Sequence, residues 1–272
     1  MISSLATVPS GHVPLSRKGG RPRRSPVTSY IVHMCGGGIV KKAIAQGRDP
    51  VAKCLSYYLG DEPESRRDDI SSHYLIGYDG TIYALTDESI RVPHVGVSEG
   101  ERAAYLDGGW AHGAKAWGQG AEGSLGPISA EAVKQWRAAW PGQRSPQYLF
   151  PSRFVNEDSV ASEMPPCGPH LPGTPAPMRP GLRHTREQHE AIARLSCDLA
   201  GRYGWGDGWL PAAGRSVHLL GHEDVDLYGR SNKGGGWDPG ASRASPWWDW
   251  SFVHAAARIV ARGPGTLVSP VG

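Results

Sequence analysis

The sequence predicts a single α/β domain: a central mixed β-sheet flanked by helices, with long Gly/Pro-rich loop insertions. Three observations predict it. Short apolar runs at Tyr30–His33 and Val217–His222 read as buried strands, a strand pair flanks Tyr78-Asp79-Gly80, and helical patterns alternate with these strands. A length of 272 residues with 39% apolar content suits one large domain with a real core, and 37 glycines with 23 prolines leave much of the surface to loops.

The elements follow in chain order. Residues 1–28 read as a basic arm carrying Arg17, Lys18, Arg21, Arg23 and Arg24. The strand Tyr30–His33 runs into a flexible Gly36-Gly37-Gly38. Asp49-Pro50 supplies an N-cap and first-turn proline for a helix through Tyr58. His73–Gly77 and Thr81–Leu85 form a hairpin, because glycine at position 80 accepts the positive φ of a tight turn. Residues 99–155 read as an insertion, with a possible helix over Ser129–Trp140, and 164–181 as a proline-rich loop. Thr185-Arg186-Glu187-Gln188 is a capping box opening a helix whose inner face holds Ile192, Leu195 and Leu199. A closing helix over Trp248–Ala261 turns Phe252, Ala256 and Ile259 inward, and 263–272 is a flexible tail. The main domain is thus expected over 29–262.

Composition excludes several classes. A net charge of +3 does not argue for nucleic acid. Four cysteines, Cys35, Cys54, Cys167 and Cys197, form no CxxC pair and read as free thiols. No run of 18 apolar residues spans a membrane. The first residues lack the apolar core of a signal peptide, so the chain is expected to be made in the cytoplasm without a leader.

The chemistry gathers at strand ends. His33 and His222 each close a predicted strand, and ligands of open α/β sheets collect outside the carboxyl ends of strands. Asp238, in Trp237-Asp238-Pro239-Gly240, is the best third ligand. Two histidines plus a carboxylate with one position left open is the pattern of a catalytic zinc site, so Zn²⁺ is the expected cofactor. His218, two residues before Leu220 on the same strand, is the rival ligand.

With these residues in view, the sequence resembles the type-2 N-acetylmuramoyl-L-alanine amidases, a family that includes phage endolysins, peptidoglycan-recycling amidases and peptidoglycan-recognition proteins. Tyr30–His33 is similar to the family's first strand and zinc histidine. Ser71–Leu85 (SSHYLIGYDGTIYAL) resembles its central hairpin, and Pro93–Ser98 the segment after it. Asn156–Met164 (NEDSVASEM) resembles the strand carrying a catalytic glutamate, and Gly221–Trp250 the second histidine, the Asp-Pro-Gly ligand and the tryptophan beyond. The chain departs from the family in the fifteen residues between His222 and Asp238, in Met34-Cys35 after the first histidine, and in a more polar glutamate strand.

The resemblance implies hydrolysis of the amide between N-acetylmuramic acid and L-alanine in peptidoglycan or muropeptides. It implies Glu163 as general base, because Ser72 stands where one branch of the family has a tyrosine, and Lys233 as the cation facing the oxyanion, with Arg230 as its substitute. His94, His73 and Trp237 are expected at the substrate, although His73 is also suited to supporting the sheet. Ten tryptophans against three phenylalanines supply indole faces for sugars, Trp110 and Trp117 among them. The biological role expected is cell-wall lysis in the periplasm or outside the cell, by a phage-type endolysin or an injected effector; a cytosolic recycling amidase is the alternative. Other readings are a non-catalytic peptidoglycan-binding module of the same fold, a cysteine hydrolase using Cys35 or Cys167, and a nucleic-acid binder acting through the arm. A monomer is favoured.

Overall fold

The computed structural model of the protein describes residues 2–9, 20–35, 37–62, 71–95, 134, 137–143, 149–150, 155–212, 214–225, 238–240 and 247–262. Its centre is a five-stranded mixed sheet. In chain order the described elements begin with β1 (Arg21–Pro22), β2 (Ser29–Met34), α1 (Gly37–Ala45), α2 (Pro50–Leu59), β3 (Tyr74–Ile76), β4 (Ile82–Ala84) and β5 (Ile90–Arg91). They continue with α3 (Val155–Asp158), β6 (Ser159–Met164), α4 (Arg186–Tyr203), β7 (Leu219–Gly221), α5 (His222–Val225) and α6 (Trp250–Arg262). The sheet order is β4-β3-β6-β2-β7. β2 pairs in parallel with both β6 and β7, β6 pairs in parallel with β3, and only β3–β4 is antiparallel.

Among the described residues, alternation along the strands places buried side chains on both faces of the sheet. Tyr30 and Val32 of β2, Tyr74 and Ile76 of β3, Val160 and Met164 of β6 and Leu219 of β7 face Ile192, Leu195 and Leu199 of α4 and Val253 and Ala257 of α6. On the opposite face Cys35 and Leu75 cluster with Val40 of α1, Cys54 and Tyr58 of α2, and Leu171. Each fully buried aliphatic side chain contributes about 1.5–3 kcal/mol. His33 has the same parity as Cys35 and so lies on the α1–α2 side of the sheet.

Local signals place the helices. Asp49 Oδ1 accepts from the Ala52 N–H at 2.9 Å and Pro50 occupies the first turn of α2. Thr185 and Gln188 close the capping box of α4 reciprocally, at 2.9 and 3.1 Å. The Thr185 hydroxyl also donates to the Tyr78 carbonyl at 2.7 Å, tying the hairpin turn to the start of α4. Gly80 sits there at φ 78°, where an added Cβ would meet the Glu187 carbonyl oxygen at 2.8 Å.

The structure alters four expectations. The glycine run after β2 does not stay a loop: α1 begins at Gly37, because Val40 and Ala43 bury an apolar face that outweighs glycine's poor helix propensity. The strand before His222 ends at Gly221, where the Gly221 N–H donates to Asp224 Oδ2 at 2.7 Å and the chain turns into α5; His222 therefore opens a helix and does not end a strand. The inward face of α6 is Trp250, Val253, His254 and Ala257, whereas Ile259 is 68% exposed, so the helix is rotated from the expected phase. Parts of the basic arm are built into the domain. The Thr7 N–H donates to the Ile82 carbonyl at 2.7 Å and the Ala84 N–H to the Thr7 carbonyl at 2.9 Å, covering the free edge of β4, and β1 pairs with β5. Arg23 donates through Nε to the Glu88 carbonyl at 2.9 Å. Arg17, Lys18, almost all of the 99–155 insertion, Trp110, Trp117 and the 263–272 tail lie outside the described residues.

Candidate metal centre

Three stretches of chain converge beyond the carboxyl ends of β2 and β7. His33 comes from β2, His222 from the first position of α5, and Asp238 from the short described stretch 238–240. All three are buried, at 2%, 1% and 2% exposure. One ligand atom from each lies within 4.8 Å of the others, which makes this the metal-competent group of histidine, cysteine and carboxylate side chains among the described residues. Asp238 Oδ2 is 3.0 Å from His222 Nδ1 and 4.0 Å from His33 Nδ1. Four-coordinate zinc, with bonds of about 2.0–2.1 Å to nitrogen and oxygen, holds its ligand atoms roughly 3.3 Å apart. The spacing and the donor set therefore fit a zinc ion, whose charge would also offset the cost of burying the carboxylate.

Neighbouring groups hold the Asp238 carboxylate and the His33 ring. The Met34 N–H donates to Asp238 Oδ1 at 2.6 Å, so β2 itself fixes the carboxylate supplied by a distant loop. The Glu223 N–H donates to the Asp238 carbonyl at 2.8 Å. Gly221 admits this approach: a Cβ there would lie 2.7 Å from Pro239 Cδ. His33 Nε2 lies 3.2 Å from His94 Nδ1, and His94 Nε2 lies 3.1 Å from the Ser159 hydroxyl. The rival ligand His218 stands apart from the group, its Nδ1 2.6 Å from the Thr28 carbonyl and its ring stacked on Trp205.

Glu163 lies on β6 directly opposite His33 in parallel register, so both side chains leave the same face of the sheet. It is only 4% exposed. The polar strand Ser159–Met164 is buried throughout and sits at the sheet's centre, because its polar residues have partners: Ser162 accepts from the Tyr30 hydroxyl at 2.6 Å, and Ser159 faces His94.

Two expected substrate residues occupy different positions. His73 has 0% exposure. Its Nδ1 accepts from the Ala161 N–H at 3.1 Å and its Nε2 donates to the Ile90 carbonyl at 2.9 Å, so it supports the sheet and has no surface to offer a substrate. Burial, reinforced by the Arg23 charge, pushes its pKa down to about 3. His94 is 3% exposed, and both its nitrogens are turned toward protein groups. Lys233, Arg230 and Trp237 lie outside the described residues. Ser159 and Asn156 are the residues that the sequence did not single out as functional; their only signal was the register of the segment Asn156–Met164.

The cysteines do not form a nucleophilic site. Burial raises the Cys35 thiol well above its ordinary value, and Cys167 is pushed up to about 12, so neither is a thiolate at neutral pH.

Buried histidine–histidine–carboxylate groups of this kind serve hydrolases that work with a bound metal ion. The sequence places the chain more narrowly. Over residues 23–241 it matches the N-acetylmuramoyl-L-alanine amidase family, and it belongs to that family. It is accordingly a hydrolase of amide bonds in peptidoglycan. No curated protein matches it. Among solved structures, it is similar to a selenomethionine derivative of AmpD, at 15% identity and a TM-score of 0.46, covering 93% of this chain and 94% of that one. It is also similar to the Ph2119 endolysin of Thermus scotoductus MAT2119 bacteriophage Ph2119, at 13% identity and a TM-score of 0.40, covering 89% and 92%. Among the described residues no helix is long and apolar enough to cross a membrane.

Proposed function

We propose that the chain is a zinc-dependent N-acetylmuramoyl-L-alanine amidase in which His33, His222 and Asp238 hold the ion and Glu163 carries the proton. One observation supports this reading above others: two imidazoles and a carboxylate converge, buried, beside the strand position that carries Glu163. Zinc bound there would polarise the scissile carbonyl and acidify water.

The chain's own residues do the remainder. Met34 and Glu223 hold Asp238 from two sides through their backbone N–H groups. Glu163 accepts a proton as water oxygen bonds to the carbonyl carbon of the lactyl amide. It returns that proton to the alanine nitrogen as the carbon–nitrogen bond breaks, giving a carboxylate on the muramic acid and a free amine on the peptide. Lys233, by the family resemblance alone, is the cation that offsets charge on the oxygen, and Trp237 the indole beside the glycan. Biologically the reading is of a wall-lytic enzyme that reaches peptidoglycan after release or injection.

Elemental analysis of the purified protein tests the ligand set. Zinc at one ion per chain is expected, with its loss in His222→Ala. Undiminished zinc in that variant removes His222 from the scheme.

A further inference from the structure

A neutral imidazole carries one proton. If it binds a metal through one ring nitrogen, the other must be the N–H, and that N–H needs an acceptor when buried. His33 presents Nδ1 toward Asp238 and Nε2 toward His94. Its tautomer is therefore decided by what stands behind His94.

A short chain of contacts decides it. The Val155 carbonyl can only accept, and the Ser159 hydroxyl donates to it. The Ser159 oxygen is then left to accept from His94 Nε2–H, at 3.1 Å. With its proton on Nε2, His94 offers a bare Nδ1, which accepts from His33 Nε2–H at 3.2 Å. The proton of His33 is thereby held on Nε2, and its Nδ1 lone pair is turned toward Asp238. Ser159 has no exposed surface, so water does not compete for this chain at that end.

The surroundings hold His94 in place. Asn156 Oδ1 accepts from the Val95 N–H at 2.9 Å and the His94 N–H at 3.3 Å, while Asn156 Nδ2 donates to the Val95 carbonyl at 2.9 Å. Val155 and Asn156 belong to α3, which leads into β6, and Ser159 is the first residue of β6, the strand beside His33. His73 does not compete for His94, because the Ala161 N–H and the Ile90 carbonyl engage its nitrogens.

We propose that His94 is a positioning residue: with Ser159 and the Val155 carbonyl it locks His33 in the Nε2–H tautomer, preparing Nδ1 as a metal ligand before the ion arrives. This rests on the reading of His33 as a ligand, and the experiment separates the two. Histidine ¹⁵N NMR of the metal-free wild-type protein, with His33 identified by its absence from His33→Ala, reads the tautomer without zinc or activity. His33 is expected to be protonated on Nε2 and bare on Nδ1. Zinc affinity is then measured by chelator competition. His94→Phe keeps a ring of similar shape without nitrogens and is expected to bind zinc about 10–100-fold more weakly. His94→Asn, whose side-chain oxygen accepts near the place of Nδ1, is expected to recover most of that loss. Ser159→Ala should weaken binding in the same direction by a smaller factor. A merely structural role for His94 would lower stability but would neither move the His33 nitrogen shifts nor be rescued by asparagine. A proton on His33 Nδ1 in the wild type overturns the proposal even if the phenylalanine variant does not fold. So does wild-type affinity in His94→Phe when His33→Ala has lost zinc. Wild-type affinity in His33→Ala overturns the ligand reading itself, and the proposal with it.

Discussion

His33 and Glu163 stand opposite one another on adjacent parallel strands, β2 and β6, and leave the same face of the sheet. The pairing puts a candidate metal ligand and a candidate base one strand spacing apart, about 4.8 Å, on neighbouring strands of the central sheet. Glu163→Gln retains shape and hydrogen bonding but cannot take a proton. Its kcat is expected to fall on the order of 10²-fold or more, with zinc content unchanged. Steady-state kinetics and metal analysis on one preparation check this. Near-normal turnover would move the base elsewhere, and loss of zinc would make Glu163 a ligand.

Gly221 touches the loop that carries Asp238. A methyl group at this position meets Pro239 Cδ at 2.7 Å, and the backbone nearby also holds Asp238 through Glu223. Gly221→Ala is expected to displace the carboxylate and weaken zinc binding by about tenfold or more, while costing roughly 1–3 kcal/mol of stability through overpacking. Chelator competition and denaturant unfolding, run side by side, separate the two effects. Unchanged affinity would mean that the loop finds Asp238's position without this contact.

His73 makes a prediction about acid. Its pKa falls from 6.5 to about 3 on folding, through burial first and the Arg23 charge second. Between those values the unfolded chain binds a proton that the folded one does not, so stability rises with pH and is lost as pH falls below 6.5. One such group contributes at most about 1.4 kcal/mol per pH unit. His73→Gln should be less stable at neutral pH, where it loses the two bonds to Ala161 and Ile90, yet should show a shallower decline between pH 6 and about 4. Urea unfolding at a series of pH values measures the slope. An unaltered slope would contradict the assignment of a neutral buried imidazole.

The capping box of α4 does two jobs, because the Thr185 hydroxyl caps the helix and holds the hairpin turn at Tyr78. Thr185→Ala is expected to cost about 1–2 kcal/mol, toward the upper end for a cap. Thermal or chemical denaturation checks it, and a loss of only a few tenths would show that the tie to Tyr78 adds nothing.

The contrast between what the sequence revealed and what it concealed follows from the range of the interactions. Asp49-Pro50, Asp79-Gly80 and Thr185–Gln188 act within a few residues, and each was readable as a cap or turn. The grouping of His33, His222 and Asp238 was anticipated because the two histidines close apolar runs and the aspartate precedes Pro239-Gly240. The contact between His94 and Ser159 was not, since the two lie 65 positions apart along the chain. β6 is more polar than the family's glutamate strand, and its burial is possible because Ser159 and Ser162 find partners in other parts of the chain. The phase of α6 was misjudged because its apolar residues are spread around the helix, and packing against α4 chooses the face.

Digestion of purified sacculi tests the central claim most directly. The protein is to be assayed as purified, after removal of metal by a chelator, and after zinc is restored, with products read by mass spectrometry. Stem peptides with a free amino-terminal alanine are expected from intact glycan strands, with no release after chelation and recovery with zinc. New reducing sugar ends without peptide release, or full peptide release from the metal-free protein, would contradict it.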